Sequence, residues 1–259
     1  MLPNFLKPYQ INNSNLIRIG PNKDGGYVID KRIIKKTYNL ITCGLNDDWE
    51  FEKEFLKRNI ECNLHAYDHT INTKFWIKRF KKDIIHLLLL KKLRWWKILD
   101  IFKYINYLNF FRKKKIHFQK KIVFKKKNNK EITIPEILKN LENIFLKIDI
   151  EGDEYQILND IKKNSKNLVF LIIEFHEVHK NLKKIEKFLK KFDLKLIHIH
   201  ANNFEGTTRD DMPKVLELSL LNKKFYKIKN KLTNNNYPIR YLDYKNFKRR
   251  DEIKIEFIK

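Results

Sequence analysis

FLKIDIEGDEYQIL, from Phe145 to Leu158, is the stretch that decides the fold. FLKIDI is short, rich in Leu and Ile, and reads as a strand. Gly152 bounds it, and behind the glycine Tyr155, Leu158 and Ile161 recur at helical spacing, so the chain turns from strand to helix. In an open α/β sheet, ligands bind outside the carboxyl ends of the strands. That end is where Asp149, Glu151, Asp153 and Glu154 crowd together. Along a strand, Asp149 and Glu151 are two residues apart and point to the same side. Carboxylates that close repel one another, and a ligand, a cation or a proton between them relieves the repulsion. The plainer alternative is a solvated acidic turn that favours the start of the next helix.

Working towards the N-terminus, YNLITC reads as a buried strand that Gly44 ends, and a helical pattern of Phe51, Phe55 and Leu56 follows from Trp49. Strand, glycine turn and helix form the phosphate-or-nucleoside corner of a Rossmann-like fold. There is no G-x-G-x-x-G, and Asp47, Asp48 and Glu50 make the corner poor for a pyrophosphate. It suits a cationic or neutral nucleoside better. A second strand, CNLHAYD, ends at Asp68, where an acid typically accepts hydrogen bonds from ribose hydroxyls. Earlier still, LIRIGPNKDGGYVI (residues 16–29) has the turn chemistry of a hairpin. Its Gly25 and Gly26 would let backbone N–H groups approach a ligand closely, with Asp24 or Arg18 alongside.

Towards the C-terminus, NLVFLIIEFHEVHK is another buried strand, closing with Glu174, His176, Glu177 and His179. LKKIEKFLKKFD is an amphipathic helix. LKLIHIHANNF is a strand with His198 and His200 on one face, and PKVLELSLL returns without an intervening helix as its antiparallel partner. KIHFQKKIVFKKK is a third strand or hairpin, ITIPEILKNLENI starts a helix with Thr133 as cap and Pro135 in its first turn, and DEIKIEFIK ends the chain as a short strand. Seven strands are expected, near residues 39, 62, 116, 145, 168, 194 and 214. A parallel sheet finished by one antiparallel strand is the layout of S-adenosylmethionine (SAM) methyltransferases.

The stretch from 74 to 115 has no Gly or Pro and alternates apolar and basic residues in blocks. It reads as an insert of one or two helices with a broad aromatic face. Such an insert packs on the domain, closes as a lid, or lies on an anionic membrane through residues 84–111, where Trp95 and Trp96 stand beside lysines.

Composition sets the outer bounds. The 259 residues, 42% of them hydrophobic, suffice for one α/β domain with the insert. The formal net charge is +25, from 56 Lys and Arg against 31 Asp and Glu. A polyanionic partner is one source of that excess. Coding bias in an AT-rich genome is the other, because Lys, Asn and Ile are all abundant while Arg, the residue that phosphate and base readers favour, is scarce. Cys43 and Cys62, the only cysteines, exclude a disulfide framework and a cysteine-rich zinc site. The N-terminus lacks the pattern of a signal peptide, and no apolar run approaches the roughly 20 residues of a spanning helix. A cytoplasmic protein, with at most peripheral membrane contact, is the expectation.

RIGPNKDGGYVI, ITCGLNDDWEFEKEF, LHAYD, FLKIDIEGDEYQIL, LIIEFHEV and HIHANNF…PKVLELSLL together resemble the FkbM-like SAM-dependent methyltransferases. The similarity runs from about Arg18 to the tail, without the insert. It implies the class I methyltransferase fold, with a seven-stranded, mostly parallel sheet, and methyl transfer from SAM to an oxygen, often of a surface-glycan sugar. By the resemblance, Gly44 lies under the cofactor, within the loop that runs through Asn46 to Asp48, and Asp68 holds the ribose. The family's usual acid two places before the glycine is Thr42 here, which can hydrogen-bond the cofactor's amino group without neutralising it. Asp24 or Asp48 would then take over the charge.

Oxygen methylation needs a base for the acceptor's proton. Asp149, Glu151, Glu174, His176 and His200 all project from strand ends and are candidates. No metal ligand is assigned, although Asp149, Glu151 and Glu174 are the right donors for a hard divalent cation. Two rivals stand beside the glycan O-methyltransferase: an RNA methyltransferase gripping phosphates with the basic insert, and a non-catalytic nucleoside- or membrane-binding protein.

Overall fold

The computed structural model describes residues 1–89 and 102–258. A hairpin comes first, β1 (Leu16–Ile19) and β2 (Tyr27–Asp30), paired antiparallel from Leu16↔Asp30 to Ile19↔Tyr27. Next come β3 (Asn39–Cys43), α1 (Glu50–Arg58), β4 (Asn63–Tyr67), α2 (Thr73–Leu89), α3 (Lys103–Phe110), β5 (Lys115–Phe118), β6 (Lys121–Ile122) and β7 (Glu131–Ile132). After α4 (Ile134–Leu138) the chain runs through β8 (Ile144–Ile148), α5 (Glu154–Lys163), β9 (Leu168–Phe175), α6 (Val178–Leu189), β10 (Leu194–Ala201) and β11 (Leu216–Asn222).

All seven expected strands lie in one seven-stranded sheet of order β10-β11-β9-β8-β3-β4-β5. β5, β4, β3, β8 and β9 are mutually parallel, and β11 is antiparallel to both β9 and β10. The expected α/β fold is thus present, with its one antiparallel strand slotted between β9 and β10. From β3 the chain winds outwards to β4 and β5, then returns to place β8 on the other side of β3. Strand order therefore reverses between β3 and β8, and a crevice opens at the carboxyl ends of such a pair.

Alternation along β8 divides the core. Leu146 and Ile148 join a cluster with Ile137, Ile157, Ile161, Ile185 and Phe188, under helices α4, α5 and α6. Phe145 faces the other way, into a cluster with Ile19, Tyr27, Phe51, Phe55 and Phe170, under the hairpin and α1. All eight residues of β9 are buried, as a central strand covered on both faces requires. The α4 start uses the foreseen Thr133, whose backbone N–H and hydroxyl both donate to Glu136 Oε2 at 3.0 Å.

The insert folds in part as expected: α2 and α3 set Trp76 and Tyr107 against Trp49, with ring centroids 6.4 and 5.8 Å from it. Trp95, Trp96 and the rest of residues 90–101, within the suggested membrane-facing stretch, lie outside the described residues. Of the two readings of KIHFQKKIVFKKK, the strand holds and the hairpin does not: β5 is an edge strand parallel to β4, and β6 pairs parallel with β7 in a separate short ladder. One sequence reading changes. Among the described residues the C-terminal tail forms no strand, only isolated bridges of Ile255 to Tyr237 and of Phe257 to Leu2, outside the sheet. No described helix is long and apolar enough to cross a membrane.

Candidate functional site

A cleft of about 490 Å³ opens where β3 and β8 diverge. It is lined among others by Asp24, Gly25, Tyr27, Gly44, Asn46, Asp48, Glu52, Asp68, Lys147, Asp149 and Glu151. Its volume lies within the range of small-molecule sites. Gly44 makes the divergence tight. Its φ is +85°, and a Cβ there would lie 1.6 Å from the Asp149 carbonyl oxygen, so only glycine fits between the strands.

The register Thr42↔Lys147 puts two polar side chains beside one another on the hairpin side of the sheet. The Thr42 hydroxyl donates to Glu52 Oε1 at 2.9 Å, and Lys147 Nζ lies 3.6 Å from the same oxygen. Lys147 is 5% exposed and Glu52 1%, and the Tyr27 and Phe51 rings flank the ammonium at 5.3 and 5.8 Å. Burial on its own would lower the Lys147 pKa. Glu52 first, then Asp149, Glu174 and Asp24, outweigh that, and the ammonium is held charged above its ordinary value. Glu52 Oε2 is buried and has no hydrogen-bond partner among the described residues. Thr42 itself does not line the cleft. Its hydroxyl instead holds Glu52, from α1, which does line the cleft.

Asp68 binds its own chain rather than pointing freely into the cleft. Oδ2 accepts from the backbone N–H groups of Leu45 and Asn46, each at 2.9 Å, and Oδ1 from the Thr70 backbone and hydroxyl at 2.7 and 2.6 Å. Burial would raise its pKa, but the Thr70 hydroxyl and these N–H groups hold it below the usual carboxylate value. A carboxylate offers about four acceptor positions, and all are used. Asp68 therefore pins the loop after Gly44, and ribose hydroxyls would have to share oxygens already engaged.

At the other end of the cleft, β8 stops at Ile148, and the same-face argument for Asp149 and Glu151 gives way to a turn. Glu151 has φ +53° and an exposed side chain. The turn still brings the acids together: Asp149, Glu151 and His176 each place one ligand atom within 4.8 Å of the others. His176, just past β9, is held by Glu154. That fully buried carboxylate accepts from the Gly152 N–H at 2.8 Å and the His176 N–H at 2.7 Å, and lies 3.3 Å from His176 Nδ1. His176 Nε2 is 3.5 Å from Glu151 and 3.9 Å from Glu174. Burial pulls the His176 pKa down, but Glu154 and the nearby acids raise it overall. Burial pushes Asp149 up to about 6. Burial and the neighbouring Asp149, Glu217 and Asp24 push Glu174 well above its ordinary carboxylate value. The Tyr27 hydroxyl donates at 3.3 Å to both Asp149 and Glu174.

A polar network leads away from the cleft. Asn202 donates to Glu174 at 2.9 Å, and Asn246 donates to Asp24 at 2.9 Å and Glu217 at 2.7 Å. His200 belongs to this layer, not to the cleft: it sits 2% exposed between Glu217 (3.1 Å) and Glu252 (2.7 Å). Burial opposes its charge, but the two glutamates push its pKa up to about 10, which suits a structural cation better than a base. In the hairpin, Gly25 lines the cleft. Gly26 instead packs under Pro21 and Arg18, where a Cβ would lie 2.1 Å from the Pro21 carbonyl oxygen. Arg18 is spent on the loop, donating to the carbonyls of Pro21, Lys23 and Leu242.

Sequence reasoning passed over Lys147, Glu52, Tyr27, Asn202 and Asn246, and it noted Glu154 only as one of the crowded acids. The one signal for Lys147 was a lysine interrupting an apolar strand, and for Glu52 an acid on the buried face of α1. The asparagines gave none.

The model of the methyltransferase FkbM domain matches residues 12–196, well over half of the chain. No curated protein matches. Among solved structures, a fibrillarin/Nop5p complex is similar at 10% identity over 72% of this chain and 73% of that one, with a TM-score of 0.37. A precorrin-6Y C5,15-methyltransferase from Geobacter metallireducens GS-15 is similar at 11% identity over 79% and 97% of the two chains, with a TM-score of 0.38. The strand order, the crevice at its reversal and the family match over residues 12–196 lead to one conclusion: the chain belongs to the FkbM methyltransferase family.

Proposed function

We propose that this protein transfers a methyl group from SAM to a hydroxyl oxygen of a sugar or glycan. Enzymes of a methyltransferase family use SAM in general, and the cleft's own chemistry fits that group. Eight carboxylates and four lysines line it, in a chain whose net charge is +25, so the acids are concentrated where a sulfonium and an ammonium would lie. The orphaned Glu52 Oε2 is the acceptor that an ammonium group requires, held in place by Thr42. Asn46 and Asp48 border the nucleoside end, with Asp68 fixing the loop they stand on. Bound SAM supplies the electrophilic methyl group.

The observation that carries the oxygen-transfer reading is Asp149. It is a carboxylate at the strand reversal, pushed up to about 6, with Glu151 and His176 beside it. A group whose pKa lies near the working pH is suited to take a hydrogen bond or a proton from an acceptor hydroxyl. Tyr27 orients Asp149, and Glu154 orients His176. An acid-rich lining disfavours phosphates, which speaks against RNA as the acceptor.

The test is incubation with methyl-labelled SAM and a panel of nucleotide sugars and oligosaccharides, with RNA as a parallel acceptor. Alkali-stable label on a sugar supports the reading. Label on RNA alone, lost steeply as salt rises, would replace it with the nucleic-acid reading.

A further inference from the structure

We propose that Asp149, Glu151 and His176 bind a divalent metal ion at the mouth of the cleft, and that the acceptor hydroxyl completes its coordination shell. The second half rests on the oxygen-transfer reading above; the first half stands on geometry alone.

Ligand atoms around one first-row or magnesium-sized ion sit roughly 3–4 Å apart, given metal–ligand distances of about 2.0–2.2 Å. The three side chains place their ligand atoms within 4.8 Å of one another, so small rotations close the shell. They come from the end of β8, the turn after it and the end of the neighbouring parallel strand β9.

The independent observation is Glu154, which stands outside the trio. It is 0% exposed and faces His176 Nδ1 at 3.3 Å while also holding the His176 backbone N–H. A buried carboxylate on one ring nitrogen fixes the imidazole so that the other nitrogen can ligate, an arrangement found around metal-bound histidines. The other nitrogen, Nε2, faces the carboxyl groups of Glu151 at 3.5 Å and Glu174 at 3.9 Å. With Nδ1–H directed at Glu154, the Nε2 lone pair faces the carboxyl groups of Glu151 and Glu174, next to Asp149, and the Tyr27 hydroxyl is a single donor shared between Asp149 and Glu174. A cation resolves that arrangement.

Two carboxylates and one imidazole form a mixed oxygen and nitrogen set that suits Mn²⁺ and its neighbours, and leaves positions open for water or a hydroxyl. A hydroxyl bound to such an ion loses its proton more readily, for the same reason that metal-bound water does. Glu151 is the natural entry-side ligand, because it is exposed while Asp149 and His176 are partly covered.

The probe is Mn²⁺ alone, titrated into the full chain without SAM and followed by the loss of the free-ion electron paramagnetic resonance signal. Glu151→Gln is the deciding variant, since an exposed turn residue can change without loss of fold. Glu61→Gln, an exposed acid on the far side of β4, corrects for surface binding. The expected result is one ion per chain, with affinity about tenfold or more weaker in Glu151→Gln and about 10–100-fold weaker in Glu154→Gln, which touches no ion itself and acts by holding His176 and the Gly152 turn. No bound ion, or Glu151→Gln binding as tightly as the wild type, would overturn the proposal and leave a proton on His176 as the resolution. Because SAM is absent from the titration, that outcome leaves the methyltransferase reading standing, and a failure of SAM to bind leaves the metal site standing.

Discussion

Replacing Glu52 with Gln should cost this protein more stability than any surface change of the same size. The variant keeps the shape of the side chain and the hydrogen bond from Thr42, and removes one charge. Lys147 then remains buried with its nearest counter-ion gone. At 3.6 Å and an effective dielectric of about 20, the lost attraction is about 4–5 kcal/mol. The acids that remain, Asp149, Glu174 and Asp24, soften this, so about 2–4 kcal/mol is expected, in line with the removal of one partner from a buried pair. Lys147→Met should cost less, because a thioether fills the stem's volume between the Tyr27 and Phe51 rings. The double variant should recover most of the loss. Urea denaturation of wild type, both singles and the double gives a coupling energy, expected at about 2–3 kcal/mol. A coupling below about 0.5 kcal/mol would mean that the two charges do not sense one another, and the electrostatic account of the cleft would fail.

Gly44→Ala should destabilise by about 3 kcal/mol or more in thermal melts, since the new Cβ meets the Asp149 carbonyl oxygen at 1.6 Å and φ is +85°. Asp68→Ala should release the loop after Gly44, with stability and SAM affinity falling together by about 1.5–3 kcal/mol; a stable variant with weaker SAM binding would make Asp68 a ligand rather than a loop anchor. Asp149→Asn and Glu151→Gln should leave SAM affinity nearly unchanged while kcat drops about 10²–10⁴-fold in a methyl-transfer assay. The His200 pair should show in stability against pH. Its folded pKa of about 10 exceeds the ordinary 6.5, so its contribution is complete below pH 6.5 and fades as pH rises to 10. Melting temperature should therefore fall over that window, and His200→Gln should flatten the slope.

The fold was legible because each parallel strand is short, apolar throughout and closed by a glycine or an acid. LVFLIIEF could not be anything but a covered central strand. Sequence order alone could not place β11 between β9 and β10, although its antiparallel sense followed from the missing helix. The site was legible at its ends: Gly44, Asp68 and Asp149 all stand at the strand reversal. Its middle was not. Lys147 lies in register with Thr42, and Glu52 reaches back from α1 to meet both, a meeting across 95 to 105 positions of sequence that no local pattern encodes. Glu151 was assigned to the strand because alternation assumes that the strand continues, whereas the chain turns at φ +53°. His200 was grouped with the bases because its partners Glu217 and Glu252 come from β11 and the tail.

Calorimetric titration of SAM into the wild type and Glu52→Gln, at a temperature where both are folded, tests the central claim most directly. The account predicts one SAM per chain for the wild type, and binding about 10–100-fold weaker in the variant, the loss expected when a charge-assisted hydrogen bond becomes a neutral one. A folded wild type that shows no saturable heat with SAM, or a variant that binds it equally well, would contradict the assignment of this cleft.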